Sequence, residues 1–454
     1  MMRWFWLTLA AVVLVAVGAT LVALPQAPEW TTSSRAALAE FEAGDEALSK
    51  VYFVEAREHF ERAYEYDPEF LLAKWRFAQF LHDDNPQQAT PILDDVMTAD
   101  LANLTARERF LIEYWSAMRR NLPAEAARLV DECVVTYPDD PYILAVKASE
   151  TWRYGNLEEA EHLYQRLLKI DPNWVVAYNA LGYIKMTQGR FPEAEEHFKS
   201  YRFIAPDQAN PHDSLGELFI TTGRYDDAEA SLETAIKIKP DFWASYIHLA
   251  ILKTYIGDSD ALRNLVESAR AAGSPDGVVL EMECRARYVE MAGREAWREI
   301  LAQRSGECAG GFRNGHAAII THRAACLTHD WKTARKIEAE AAEHLSNARR
   351  IGDEDAVTAL QAAVLQMEGV RLAIEGDYAT AEKQLRAVDE QLGYMQVQFG
   401  MYKLFNRTIL IETLFAGGND AEGHQLLAEV RRINPSMVEE FEASGFRVLG
   451  LGRG

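Results

Sequence analysis

A pattern of small, bulky apolar and turn residues recurs every 34 residues through the middle of this chain. No other feature limits the possible folds as strongly. Ala177-Tyr178-Asn179-Ala180-Leu181-Gly182 is followed by Gly189, Ala194, Phe198 and Pro206. One period later come Leu215-Gly216, Gly223, Ala228, Leu232, Ala235 and Pro240. One period earlier stand Ala148, Gly155, Ala160, Tyr164 and Pro172, and a first unit shows Gly44, Ala56, Phe60, Ala63 and Pro68. Small residues at two fixed places let paired helices cross closely, and large apolar residues fill the seam between them. A glycine between them can take the positive φ of a helix-ending turn. Proline stops the second helix. Each unit is then a helical hairpin that cannot bury its apolar face alone, so the units must stack.

Units fall at about 37–70, 107–140, 141–174, 175–208, 209–242 and 243–275, with a degenerate hairpin at 71–106. Beyond 276 the pattern blurs. Gly293 with Trp297, and Trp331 with Ala334, mark poor hairpins; it sharpens at Gly369, Gly376, Ala381 and Leu385, and ends with Gly418, Leu427 and Pro435. The expected organisation is a segment 1–30, a regular solenoid 31–275, degenerate helical repeats 276–437 and a tail 438–454 that reads as a short cap and loose end. No strand pattern is visible. Hydrophobic residues make up 48% and charged residues 26%, which excludes wholesale disorder.

This spacing resembles the tetratricopeptide repeat family over most of the chain. The resemblance implies an all-α fold, a right-handed α-solenoid of helix hairpins, and a role in binding proteins. The stretch Leu104–Pro240, with Leu104-Thr105-Ala106-Arg107-Glu108-Arg109 and Asn210-Pro211-His212-Asp213-Ser214-Leu215-Gly216, is similar to the extracytoplasmic repeat arms of bacterial membrane-bound Ser/Thr kinases and transcriptional regulators. That likeness implies a sensor or interaction module. Only three residues precede the apolar run described next, so the cytoplasmic effector of those proteins is not expected here.

Met1, Met2 and Arg3 precede an uncharged run of 21 residues from Trp4 to Leu24. At about 1.5 Å per residue a helix of that length spans roughly 30 Å, the thickness of a bilayer's hydrocarbon. Trp4, Trp6 and Trp30 flank it as interfacial anchors would. The expectation is one uncleaved transmembrane helix; the small residues Val17-Gly18-Ala19 leave open a cleaved signal peptide. Arg3 lies on one side, and the next basic residue, Arg35, is well beyond the other. The positive-inside rule then places the body in the periplasm of a bacterium, tethered to the inner membrane.

In register, the inner face of the solenoid is lined by the second, fifth, ninth and twelfth places of each unit. These are Tyr142, Ala145, Ser149 and Trp152; then Val176, Asn179, Tyr183 and Met186; then Asn210, Asp213, Glu217 and Ile220; then Ala244, Ile247, Ile251 and Thr254. Aromatic rings and amides at Tyr142, Trp152, Asn179, Tyr183 and Asn210 suit an extended peptide, with Asp213 and Glu217 repelling a terminal carboxylate. The alternative is that these residues only stitch neighbouring helices together.

Lys+Arg number 47 and Asp+Glu 69, a net charge of −22, which disfavours nucleic acid as a partner. No HExxH, GxxxxGK[ST], GxSxG or strand-borne GxGxxG is present, so neither an enzyme nor a cofactor is expected. Four cysteines, Cys133, Cys284, Cys308 and Cys326, form no CxxC pair. They read as buried thiols, with a Cys308–Cys326 bridge as the other option. Cys308, His316, His322, Cys326 and His329 cluster in sequence, and His322, Cys326 and His329 share a helix face. That set reads as packing, with Zn²⁺ or copper as the alternative. Two functions follow: a membrane-tethered scaffold for protein or peptide partners, with self-association open, or a metal- or ligand-binding sensor built on 276–345.

Overall fold

The computed structural model describes residues 29–303, 308, 316–394, 397–445 and 447–451. Every regular element among them is an α-helix. The apolar run at 4–24 lies outside the described residues, and no helix among the described residues is long and apolar enough to cross a membrane.

The chain divides into two compact units, Met1–Glu150 and Thr151–Gly454. The first holds α1 (Arg35–Ser49), α2 (Phe53–Tyr66), α3 (Leu71–Asp84), α4 (Pro86–Thr98), α5 (Ala106–Arg119) and α6 (Pro123–Thr136), and the division falls within α7 (Pro141–Arg153). The second continues with α8 (Leu157–Ile170), α9 (Val175–Thr187), α10 (Phe191–Ile204), α11 (Asn210–Thr221), α12 (Tyr225–Ile238), α13 (Trp243–Tyr255), α14 (Ser259–Ala271), α15 (Asp276–Gly293) and α16 (Trp297–Ala302). It ends with α17 (His316–Leu327), α18 (Trp331–Ile351), α19 (Glu354–Glu375), α20 (Tyr378–Gln391), α21 (Val397–Ala416), α22 (Asp420–Ile433) and α23 (Pro435–Ala443).

The 34-residue pattern does what its chemistry requires. A Cβ on Gly182 would lie 2.3 Å from Phe198 Cε1, and one on Gly216 2.5 Å from Leu232 Cγ. Only hydrogen fits where the paired helices cross. Gly189 and Gly223 close the intervening turns at φ +71° and +75°, where a side chain would be strained. In the first unit, Thr105 caps α5: its hydroxyl accepts from Glu108 N at 3.2 Å while Glu108 accepts from Thr105 N at 3.0 Å. Glu108, fully buried, also accepts from Thr31 N at 2.9 Å, so the chain ahead of α1 is held to α5.

The C-terminal part departs from the 34-residue plan. Helices α18, α19 and α21 run to 21, 22 and 20 residues, well past the 13 or 14 of the repeat hairpins such as α9 and α10. Most of α21 is buried, as a helix with apolar side chains on more than one face must be. Val438, Phe441 and Leu449 are buried too. The stretch expected as a short cap and loose end thus sets these three apolar side chains into the core, while Glu439, Glu440, Ala443, Ser444, Gly445, Arg447 and Gly450 are exposed. Cys284 and Cys308 form a disulfide with Cα atoms 5.5 Å apart, and Cys326 is a buried free thiol. This corrects the reading of four buried thiols, since two of them are bridged and Cys133 is only half-buried, and it corrects the alternative too, since the partner of Cys308 is Cys284 rather than Cys326.

Candidate functional site

In the second unit the inner face of α11 packs against α21 of the same chain, with Met186 of α9 and Ile251 of α13 in the same buried cluster. Leu218, Phe219 and Ile220 of α11 share one buried cluster with Met401, Leu404, Ile411 and Phe415 of α21 and with Met437 and Phe441 of α23. Asn434, fully buried, closes the arrangement. Its Nδ2 donates to the carbonyls of Ile220 and Thr221 at 3.2 Å each, satisfying the C-terminal end of α11. Ser436 Oγ donates to Gly223 O at 2.7 Å. The inner face of α11, expected to stand open, is buried.

Under this contact lies a polar network. Asp213 and Glu217, one turn apart on α11, are both buried. His248 of α13 sets Nδ1 3.0 Å from Asp213 Oδ1 and Nε2 3.7 Å from Glu217 Oε2. Ser245 Oγ donates to Asp213 at 2.6 Å. Tyr183 OH donates to Glu217, and Val397 N, the first residue of α21, donates to the other Glu217 oxygen at 3.1 Å. Ser214 Oγ donates to Asn179 Oδ1 at 2.9 Å. Burial alone would lower the His248 pKa, but Asp213 and Glu217 outweigh it and push the imidazole up to about 9. Burial raises the Glu217 carboxyl, with Asp213 adding to it against His248, and burial raises the Tyr183 phenol. One imidazolium thus balances a buried acidic pair.

Of the seven inner-face candidates, Asn179, Tyr183, Asp213 and Glu217 come together here. Asn210 is buried and donates to Tyr201 OH at 3.2 Å. Trp152 sets its ring edge-on to Tyr164 at 6.4 Å. Tyr142 belongs to the first unit, where its OH meets Asp45 at 3.4 Å and the Arg107 guanidinium lies 4.6 Å from its ring centre. Burial raises its phenol, and the Asp45 charge adds to the rise. Sequence reading missed His248 and Ser245 because they fall one and two places away from Ile247, toward the facing turn of α11.

Among the described residues one group of donors could hold a metal ion: Asp213, Glu217 and His248, with ligand atoms within 4.8 Å of one another. Its members already satisfy one another, Ser245, Tyr183 and Val397, and no orphaned atom there calls for a cation. The other candidates do not close into such a set. Cys308 is bridged to Cys284. His322 Nε2 lies 2.9 Å from Glu338, and Cys326 Sγ lies 3.7 Å from that nitrogen and 3.8 Å from Nδ1. His329 packs on Trp331, with ring centres 5.3 Å apart. The side chain of His316 lies outside the described residues.

A pocket of about 370 Å³ opens elsewhere in the second unit, with walls from α12, α13, α15, α16, α17, α19, α21 and α23. Tyr255, Tyr288, Trp297, Tyr402 and Phe405 give it an aromatic lining, and Arg285, Arg323 and Gln366 its polar groups. Burial lowers the Arg323 pKa to about 10, with Glu412 opposing the shift. Separately, a shallow depression on the outer side of α10 is lined by Pro172, Asn173, Tyr178, Lys199, Ser200, Phe203 and Ile204. Phe203 is 86% exposed there.

Two family models described as the tetratricopeptide repeat match residues 145–209 and 211–242. No curated protein matches the chain. Among solved structures, a tetratricopeptide repeat protein from Parabacteroides merdae ATCC 43184 is similar at 16% identity and a TM-score of 0.35, covering 63% of this chain and 98% of that one. The chain carries tetratricopeptide repeats over the two matched stretches, and the described fold is all-helical.

Proposed function

We propose that this chain is a non-catalytic scaffold for protein partners, tethered to the bacterial inner membrane by the apolar run at 4–24 with its body in the periplasm. The Cys284–Cys308 disulfide supports an oxidising compartment for that body. The observation that carries the scaffold reading is the depression beside Phe203, which lies within a matched repeat and exposes a whole phenyl ring. A ring left in water next to Tyr178 and Ile204 is the kind of anchor partner proteins bury. The inner-face residues Asp213, Glu217 and Asn210 serve the fold; Asn179 and Trp152, half-buried, stay at the margin of what a partner can touch.

The test is a photo-crosslinking amino acid placed at position 203 in intact cells. A discrete adduct with an extracytoplasmic protein is expected, and Phe203→Ser should weaken capture of that protein about 30-fold, as loss of an aromatic anchor does. Absence of any adduct would overturn the proposed surface. Adducts with cytoplasmic proteins would overturn the periplasmic placement, and an adduct of two copies of this chain would make it a self-assembly contact instead.

A second reading, a ligand-sensing module built on 276–345, is favoured by one observation. Arg285, Tyr288, Trp297, Ile320 and Arg323 of that segment form much of the wall of the 370 Å³ pocket. That volume lies in the range of small-molecule sites, about 300–1,000 Å³.

A further inference from the structure

We infer that the pocket binds a small carboxylate that has an apolar body and one hydrogen-bond donor. The inference rests on the sensor reading given above. Arg323 is the first reason. Its guanidinium is buried and lines the pocket; Nη2 donates to Val448 O at 2.6 Å, while Nε has no partner among the described residues. No carboxylate among the described residues pairs with it. Glu412, the acid whose field reaches it, accepts instead from the backbone N–H groups of Val448, Leu449 and Leu451 at 2.6, 2.7 and 2.7 Å. A buried cation without a counter-ion is costly, and an anion that reaches it relieves that cost.

Gln366 is the second reason, and its orientation follows from its neighbours. Asn406 Nδ2 donates to Leu385 O at 2.8 Å, so Asn406 Oδ1 is the acceptor facing Gln366. Gln366 Nε2 donates to it at 3.2 Å, which leaves Gln366 Oε1 buried with no donor. That oxygen asks for an N–H or O–H from a ligand. The third reason is the lining. Trp297 and Phe405 have ring centres 5.8 and 5.6 Å from the Arg323 guanidinium, an apolar bed beside the charge. Arg285 adds a second cation, paired along its own helix with Glu281 at 2.8 Å. The acid on the wall is Glu440, and burial pushes its carboxyl toward the neutral form. Arg447, exposed, lines the pocket as a third arginine, and these cations among tyrosine, tryptophan and phenylalanine suit a carboxylate with an aromatic or branched body.

The test is calorimetric titration of the full chain in lipid nanodiscs with 3-phenyllactate, 3-phenylpropanoate and neutral 3-phenylpropane-1,2-diol. Phenyllactate is expected to bind at one site per chain. Phenylpropanoate, lacking the hydroxyl, should bind about 5-fold more weakly, and Arg323→Gln should weaken phenyllactate about 10- to 100-fold, as loss of a charge-assisted bond does. Ala292→Phe, which sets a ring into the pocket from α15, should abolish binding with the helical melting curve retained. Equal binding of the diol, or unchanged affinity in Arg323→Gln, would overturn the carboxylate assignment and leave the sensor reading standing. Binding by none of the three probes, or binding that survives Ala292→Phe, would overturn both.

Discussion

Replacing His248 by leucine is expected to destabilise the second unit by about 3–5 kcal/mol, the cost of removing one partner from a buried charge network. His248 is only 17% exposed, and it is the cation that stands between two buried carboxylates on α11. Without it Asp213 and Glu217 face each other with only neutral donors left, and Glu217 can escape only by taking up a proton. A drop in the urea midpoint, followed by circular dichroism at neutral pH, is the readout. Glu217→Gln should be far milder, about 1 kcal/mol, because the amide oxygen can still accept from Val397 N while its NH2 donates to the Tyr183 oxygen.

The same network fixes a pH dependence. The His248 pKa is about 9 in the fold against an ordinary 6.5. A raised folded pKa means stability that is fully present below 6.5 and lost as pH climbs through 9, a change of about 3 kcal/mol for a shift of this size. Glu217 is raised as well, so its contribution also falls as pH rises above its ordinary 4.5. The alkaline slope should be absent in His248→Leu and retained in Glu217→Gln. A His248→Leu chain as pH-sensitive as the parent between 6.5 and 9 would show that the imidazole does not carry the charge assigned to it.

The second large effect belongs to the repeat seam. Gly182→Leu is expected to cost about 3 kcal/mol or more, since overpacking a tight crossing forces side chains and backbone apart. Phe198 cannot yield easily: it is fully buried and packs edge-on against Tyr183 with ring centres 5.1 Å apart. Even alanine must displace the ring, because its Cβ alone would come within 2.3 Å. Gly189→Ala meets nothing within 4 Å and is strained only by its φ of +71°. It should cost about 1 kcal/mol. If the two alanine variants proved equally stable, the close crossing would not be the reason for glycine at 182.

The repeat hairpins were legible because their information is local. Gly182 and Phe198 are sixteen residues apart, and the small-to-large pairing can be read from spacing alone. The inner face was legible as a set for the same reason: places four apart on α11 share one side. What covers that side was not legible. Glu217 and Val397 are 180 residues apart, and Asn434 reaches Ile220 across 214. No period links them. One signal did point the way. The run Ile409-Leu410-Ile411 with Leu414 and Phe415 spreads apolar side chains over more than one face of α21, and such a helix needs neighbours on several sides. Arg323 and Gln366 carried no signal, because an arginine or glutamine in a blurred repeat looks like a solvated face until the pocket around it is known.

The central claim is that the inner face of α11, at 210–221, is covered by α21 of the same chain. Cysteine crosslinking between Thr221 and Gly400 tests it most directly. A Cβ on Gly400 would lie 3.4 Å from Thr221 Oγ1, close enough for a disulfide with little backbone movement. In a chain with Cys133 and Cys326 changed to serine, Thr221→Cys with Gly400→Cys should form an intramolecular bridge in near-quantitative yield under mild oxidation. Two thiols that stay free and react separately with an alkylating reagent after oxidation would contradict the covered inner face and return Asn179, Tyr183, Asp213 and Glu217 to an open groove.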